Sequence, residues 1–198
     1  MKVIVIGATG TLGRAVVRAL EPRHEVVGAS RGGPVAVDLE RPATLDALFA
    51  TVPGADAVVC CAASGPLVPL ETVSDEEFAA GLGGKLLGQA ALVRRAARHL
   101  NDGGSITLTG GTFSEPLAGG SLGALVNGGL EGFVRNAAAE LPRGLRLNLV
   151  SPGWISETLE SLGADPVGGT PAADVARAYA ELVEGGARGV NLVPGHAR

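Results

Sequence analysis

The fold of this chain is decided near its N-terminus, where residues 3–13 have the sequence Val3-Ile4-Val5-Ile6-Gly7-Ala8-Thr9-Gly10-Thr11-Leu12-Gly13. The four β-branched residues are typical of a short strand buried on both faces of a sheet. Three glycines follow at regular spacing, and a helical pattern then continues to Leu20. The amides of such a turn and of the helix N-terminus face one point and favour an anion, most naturally a pyrophosphate. The alternative is a tight turn without a ligand.

Apolar runs alternate with helical patterns along the rest of the chain, which indicates a parallel sheet with helices on both faces. We therefore expect an α/β protein, with a three-layer, doubly wound Rossmann fold and a mostly or wholly parallel seven-stranded sheet. The seven predicted strands are 3–6, 25–29, 35–37, 57–61, 105–109, 145–150 and 190–193. No linker or repeat marks a boundary, so residues 1–198 are expected to form a single dinucleotide-binding domain.

Two helices carry informative patterns. Ser74-Asp75-Glu76-Glu77 is a capping box, which predicts a helix start. Its buried face is expected to hold Leu82, Leu86, Ala90, Val93, Ala97 and Leu100. A later helix over 121–141 places Ala124, Gly128 and Gly132 on one smooth face, which favours close approach of another helix, either within the domain or across a subunit interface. We expect a homo-oligomer, a dimer or a tetramer.

Composition excludes several classes of protein. With 46% apolar and 18% charged residues, the chain can fill one sizeable core and is not disordered. A net charge of -4 gives no reason to expect nucleic acid as a partner. We find no membrane span, no signal peptide and no metal-ligand spacing, and the two cysteines are neighbours in an apolar run. The expected location is cytoplasmic.

Residues after the second and third predicted strands bear on the nucleotide. The turn residues Gly7, Thr9, Gly10, Thr11, Leu12 and Gly13 are the predicted pyrophosphate site. Where an NAD site places an acidic residue, this chain has Ser30-Arg31, which suits a 2′-phosphate and favours NADP (NADPH) over NAD. Asp38-Leu39 could contact the adenine amino group, or it could simply begin a loop.

The chain resembles the short-chain dehydrogenase/reductase family over essentially its whole length. The resemblance is carried by the glycine turn, by Asp38-Leu39, and by the specific segment 146–155, Arg-Leu-Asn-Leu-Val-Ser-Pro-Gly-Trp-Ile. It implies that Pro152 and Gly153 turn the backbone against the nicotinamide and that Ile155 bonds the carboxamide through its main chain. It also places Ala62, Ala63 and Ser64 in a loop along the cofactor, although the family's asparagines are missing there.

The resemblance fails at the catalytic residues. Ordinary members use a Tyr that donates a proton, a Lys four residues later and a Ser that holds the substrate oxygen. Alignment with the family puts Gly123 at the Tyr position and Asn127 at the Lys position, and only Thr109 keeps a hydroxyl near the Ser position. The single tyrosine, Tyr179, is followed four residues later by Val183, so the chain contains no Tyr-x-x-x-Lys.

Lys85 is the leading replacement for the missing acid. It occupies the position of the family's helix Asn, and a partly desolvated lysine near the cofactor could donate a proton or hold an oxyanion. The alternative is a structural role, in which the aliphatic part of the Lys85 side chain packs against the protein and its ammonium group lies in solvent. The candidate catalytic residues are therefore Lys85, Thr109 and Asn127.

Two functions of different class remain open. The first is an NADP(H)-dependent oxidoreductase with an atypical active site, acting on a small carbonyl or alcohol substrate. The second is a dinucleotide-binding protein without redox turnover, as a sensor or scaffold, or an isomerase or cyclase that uses the same pocket.

Overall fold

The computed structural model describes residues 1–62, 65, 67–71 and 74–195. Its strands form one parallel sheet of six strands in the order β2-β1-β3-β4-β5-β6. The strands are β1 (Lys2–Ile6), β2 (Glu25–Ala29), β3 (Ala57–Cys60), β4 (Ser105–Thr109), β5 (Arg146–Val150) and β6 (Asn191–Leu192). The chain runs outward from β1 to β2 and then returns to β3 on the other side of β1. The predicted doubly wound α/β fold is confirmed.

The count of seven strands was wrong, because 35–37 does not extend the sheet. This segment makes one isolated parallel bridge, between Ser30 and Ala36. Ser30 donates its amide to the Val35 carbonyl at 3.1 Å and accepts from the Val37 amide at 3.1 Å. Val37 is still buried, so the apolar residues of this segment serve the core without forming a ladder.

Helices cover both faces of the sheet. They are α1 (Thr11–Leu20), α2 (Pro42–Thr51), α3 (Asp75–Leu82), α4 (Gln89–His99), α5 (Ser121–Glu140), α6 (Ser156–Ser161) and α7 (Ala172–Glu184). One core cluster lies between the sheet and α2, α4 and α5, and the other lies between the sheet and α1 and α7. A short 3₁₀ turn, Pro166–Gly168, precedes α7. None of the helices in the described part of the chain is long and apolar enough to cross a bilayer.

The predicted capping box is present at the start of α3. The Ser74 hydroxyl accepts from the Glu77 amide at 3.2 Å, and the Glu77 carboxylate accepts from the Ser74 amide at 3.0 Å. The expected continuous helix beyond it is interrupted by a π-helical turn, Gly83–Gly88. A π-helical turn changes the phase of the buried face. The buried residues of α4 are Gln89, Leu92, Val93 and Ala96, whereas the predicted Ala90 and Ala97 are only partly buried.

The smooth face of α5 is exposed. Ala124, Gly128 and Gly132 are all open to solvent, and a Cβ added at either glycine would meet no atom of the described residues within 4 Å. Within the described part of the chain no helix covers this face. Of the two predicted uses of the face, only contact with another subunit remains a prediction.

Candidate functional site

The glycine turn between β1 and α1 is built by close backbone approaches. Gly7 has a φ of +82°, and its amide donates to the Ala29 carbonyl at 2.8 Å. A Cβ on Gly7 would lie 2.8 Å from the Ala62 nitrogen, and one on Gly13 would lie 1.9 Å from the Gly7 oxygen. Both positions therefore require glycine. Gly7 allows the turn and its contact with the end of β3, and Gly13 allows α1 to pack closely against the turn.

The start of α1 is open to an anion. Thr9, Gly10 and Thr11 are exposed, while Leu12 is partly buried. No described side chain caps the helix, whose first turn carries no acidic residue. The first amides of an α-helix have no partner inside the helix and carry its positive dipole end. The exposed, uncapped amides at the start of α1 fit a pyrophosphate.

Ser30 and Arg31 lie beside this turn, because β2 pairs with β1 and Ala29 stands opposite Ile6. Ser30 is 8% exposed and its backbone groups are used in the bridge to the following loop. Arg31 is exposed and forms no hydrogen bond or ion pair with any residue that the structure describes. Its guanidinium is thus available to a group bound next to the turn.

The Asp38 carboxylate serves its own loop. One oxygen accepts from the Glu40 amide at 3.1 Å, and the other lies 3.6 Å from Nε of Arg41. Leu39 is 7% exposed and packs against Gly88, where a Cβ would lie 2.7 Å from the Leu39 Cβ. This geometry favours the loop-starting role of Asp38, and its contact with adenine stays a prediction.

The ends of β4 and β5 are tied to each other. The Gly110 amide donates to the Val150 carbonyl at 2.8 Å, and the Thr112 amide donates to the Pro152 carbonyl at 3.0 Å. The segment after β4 therefore lies against the predicted nicotinamide turn at Pro152 and Gly153. These residues lie at or just after the carboxyl ends of parallel strands, the edge at which open α/β sheets bind ligands.

Ile155 continues this edge into α6. Its carbonyl accepts from the Leu159 amide at 3.0 Å, and it forms an isolated parallel bridge with Thr170. The bridge uses the Trp154 carbonyl and the Ser156 amide, so the Ile155 amide takes no partner among the residues that the structure describes. That N–H is free to bond a carboxamide. Ala62 lies beside Gly7, as described above, while the predicted Ala63 and Ser64 lie outside the described residues.

Lys85 and Asn127 are brought together, although 42 residues separate them in the chain. Nζ of Lys85, in the π-helical turn, donates to Oδ1 of Asn127, on α5, at 2.9 Å. Asn127 also lies beside the segment after β4, since a Cβ on Gly111 would be 3.2 Å from its Nδ2. Burial lowers the pKa of Lys85 to about 8, because desolvation penalises the ammonium form.

The hydroxyl of Thr109, unlike the side chains of Lys85 and Asn127, is occupied by hydrogen bonds inside the core. Thr109 is 4% exposed, and its hydroxyl donates to the Cys60 carbonyl at 2.5 Å. Since that hydroxyl has one proton, the Tyr179 hydroxyl 2.6 Å away must donate to it. Tyr179 is itself fully buried, and desolvation raises its pKa well above the usual range. Both side chains are used inside the core, which favours a structural role for Thr109 over the predicted catalytic one.

Two residues near the site were missed by the sequence interpretation. Phe113 lies against the position aligned with the family's Tyr, because a Cβ on Gly123 would be 3.3 Å from its ring. Gln89 is fully buried and bonded to the backbone of both Lys85 and Thr109. Its position four residues after Lys85, inside a predicted apolar face, was the signal that could have identified it.

An open groove of about 510 Å³ lies elsewhere, along the outer side of α1 and the start of α7. Arg14, Arg18 and Glu157 contribute to its walls. The groove reaches Thr11 at the glycine turn but includes neither Lys85 nor Asn127. It is therefore separate from the pair.

Comparisons with known proteins agree with this architecture. A family model described as enoyl-(acyl carrier protein) reductase matches residues 2–191. The protein lin1944 from Listeria innocua is 38% identical, with 98% of each chain covered and a TM-score of 0.92. A search among curated proteins gave no match.

Two further solved structures share the fold at lower identity. One is a small-chain dehydrogenase in complex with NADPH, 24% identical over 98% of this chain and 95% of that chain, with a TM-score of 0.84. The other is a short-chain dehydrogenase from Burkholderia cenocepacia in complex with NADP, 24% identical over 97% of this chain and 95% of that chain, with a TM-score of 0.82.

Proposed function

The chain belongs to the short-chain dehydrogenase/reductase family, and on that premise we propose that it is an NADP(H)-dependent oxidoreductase whose active site uses Lys85 and Asn127. The observation that carries the proposal is the 2.9 Å hydrogen bond from Nζ of Lys85 to Oδ1 of Asn127. It joins two residues that stand where the family has its helix Asn and its Lys. The proposed substrate is a small carbonyl or alcohol compound.

The residues of the glycine turn fit the proposed cofactor. The turn and the first amides of α1 would hold the pyrophosphate, and the free Ile155 amide would hold the carboxamide. Arg31 would pair with the 2′-phosphate, which supports NADP over NAD. Two structures of the same fold were determined with NADPH and NADP.

Cofactor choice is tested by fluorescence titration of NADPH and NADH. In Arg31→Asp we expect the Kd for NADPH to rise about 10- to 100-fold, because a charge-assisted hydrogen bond of about 1.5–3 kcal/mol is lost. Binding of NADH should not weaken, because an acidic residue at this place can accept from the ribose 2′-hydroxyl. Arg94→Asp, at an exposed arginine of α4, is the matched control. A preference for NADH in the wild type would refute the role of Arg31, and undetectable binding of both nucleotides would refute the whole proposal.

Lys85 would supply the proton that the missing tyrosine supplies elsewhere. When bound, the nicotinamide would supply a hydride, and the oxygen of a carbonyl substrate would then carry negative charge. With a pKa of about 8, Lys85 is mostly protonated at neutral pH and can stabilise that charge or give it a proton. Asn127 accepts from Nζ and so orients the ammonium group.

The catalytic role of Lys85 is tested by NADPH consumption with a panel of carbonyl compounds. Lys85→Ala should reduce turnover by about 10²- to 10⁴-fold, the usual contribution of a positioned acid. The Kd for NADPH should stay unchanged, because Lys85 is not part of the glycine turn. Lys2→Ala, at the only other lysine, is the control. Full turnover in Lys85→Ala would show that another group is the acid.

A second candidate function is dinucleotide binding without redox turnover, or an isomerisation or cyclisation in the same pocket. It is favoured by the ring of Phe113 against Gly123 and by the engaged Thr109 hydroxyl, which leave none of the family's usual groups in place. The two functions differ in whether NADPH is consumed. Tight NADPH binding with no absorbance loss on any carbonyl or alcohol would support the second.

Assembly and location are further expectations of the same proposal. The exposed face of Ala124, Gly128 and Gly132 supports a homo-oligomer. Light scattering should give a molar mass above that of one chain, and Gly128→Arg should reduce it to the monomer value. A cytoplasmic location stays a prediction.

A further inference from the structure

Among the residues that the structure describes, Gln89 is the buried polar side chain with the most hydrogen bonds. It is fully buried at the start of α4, and its carboxamide makes three hydrogen bonds. Nε2 donates to the Lys85 carbonyl at 2.8 Å and to the Thr109 carbonyl at 2.9 Å. Oε1 accepts from the Thr109 amide at 2.9 Å. Both N–H protons of the amide are thus used, and its oxygen is bonded as well.

The bond to the Lys85 carbonyl compensates for the π-helical turn. In a regular α-helix the Gln89 backbone amide would donate to the carbonyl four residues earlier, which is that of Lys85. Here that amide donates to Leu86 instead. The side chain of Gln89 reaches back and bonds the Lys85 carbonyl in its place. The Gln89 side chain is therefore one of the groups that hold the backbone of Lys85.

The other two bonds hold the end of β4. Thr109 is its last residue, and both of its main-chain polar groups bond to Gln89. The next residues, Gly110 and Gly111, lead to the side chain of Asn127. A single side chain thus connects the segment that carries Lys85 with the segment that packs beside Asn127.

We propose that Gln89 is a positioning residue of the active site, which holds the π-helical turn so that the Lys85 side chain meets Asn127. Gln89 has no part in the glycine turn and contacts no reacting atom. It acts through the backbone of Lys85 and through the end of β4. The inference rests on the proposed function, since it assigns Gln89 to the site in which Lys85 acts.

The chain allows a direct test, because its only lysines are Lys2 and Lys85. Protein grown with ¹³Cε-labelled lysine shows two side-chain resonances, which are followed from pH 7 to pH 11. In the wild type the Lys85 resonance should titrate near pH 8. In Gln89→Met, which keeps the volume and removes all three bonds, the midpoint should rise by about one pH unit or more as the ammonium group moves into solvent.

Leu92→Ala is the matched control. Leu92 is fully buried on the same helix and is not among the partners of Lys85 or Thr109. The substitution destabilises the core, yet it should leave the Lys85 midpoint unchanged. An unchanged midpoint in Gln89→Met, or an equal rise in both variants, would overturn the proposal.

One further measurement keeps the test decisive. If Gln89→Met does not fold, couplings across the hydrogen bonds from Nε2 of Gln89 to the carbonyl carbons of Lys85 and Thr109 are measured in the wild type. Their presence is expected, and their absence overturns the proposal. The titration uses neither cofactor nor substrate, so a failure of the proposed oxidoreductase activity would show in NADPH consumption and not in this readout.

Discussion

Lys85→Met should change how the stability of the protein depends on pH. Burial lowers the pKa of Lys85 from its ordinary value of 10.5 to about 8 in the folded chain. Each pK unit corresponds to about 1.4 kcal/mol at 25 °C, so protonated Lys85 lowers the free energy of unfolding by up to about 3 kcal/mol. Methionine has a similar length and no charge, so the variant does not lose this free energy of unfolding.

The sign follows from proton binding. Between pH 8 and pH 10.5 the unfolded chain holds a proton on Lys85 that the folded chain has released, so the wild type becomes more stable as the pH rises through this window. Below pH 8 both states are protonated and the cost is constant. The wild type should therefore gain about 3 kcal/mol relative to Lys85→Met between pH 7.5 and pH 10.5.

Urea unfolding followed by circular dichroism measures this difference at each pH. Groups that both proteins share cancel in the comparison, including the buried Cys60, whose pKa is raised to about 12. Lys2→Met, at the chain's other lysine, is the control. The effect assigned to Lys85 is the pH-dependent change in unfolding free energy that Lys85→Met shows and Lys2→Met does not. The reasoning is refuted if the difference between wild type and Lys85→Met stays constant across the window or falls with rising pH.

The remaining predictions concern the turn and the core. Gly13→Ala places a Cβ 1.9 Å from the Gly7 oxygen, so urea unfolding should show a loss of about 1–3 kcal/mol and titration weaker NADPH binding. Gly10→Ala, with its Cβ at an ordinary 3.4 Å, is the control, and equal losses would argue against close packing at Gly13. Tyr179→Phe removes one buried hydrogen bond to Thr109 and should cost about 1 kcal/mol without changing turnover. A fall in turnover of about 10²-fold or more would identify Tyr179 as an acid after all.

The glycine turn could be predicted in detail because its requirements are local. Gly7 needs a positive φ, and Gly13 must lie against the Gly7 carbonyl six residues earlier. Spacing along a short stretch of chain determines such contacts. The capping box at Ser74 and Glu77 was predictable for the same reason.

Predictions that depended on the length of a strand or on which face of a helix is buried were less accurate. The segment 35–37 has the composition of a strand, but it forms a single bridge in place of a ladder. The π-helical turn Gly83–Gly88 rotated the buried face of α4 relative to the expected one. One inserted residue is enough to rotate the buried face of a helix, and a periodic apolar pattern does not indicate where such an insertion occurs.

The composition and spacing of the chain alone determined the doubly wound fold, the place of the glycine turn and the absence of Tyr-x-x-x-Lys, because each depends on residues near one another in sequence. Only the tertiary structure decided which candidates meet. Nothing in the sequence pairs Lys85 with Asn127, and they meet because α5 packs against the π-helical turn. The Thr109 hydroxyl points into the core toward Tyr179. Contacts across tens of residues depend on packing of whole elements, which a local pattern does not contain.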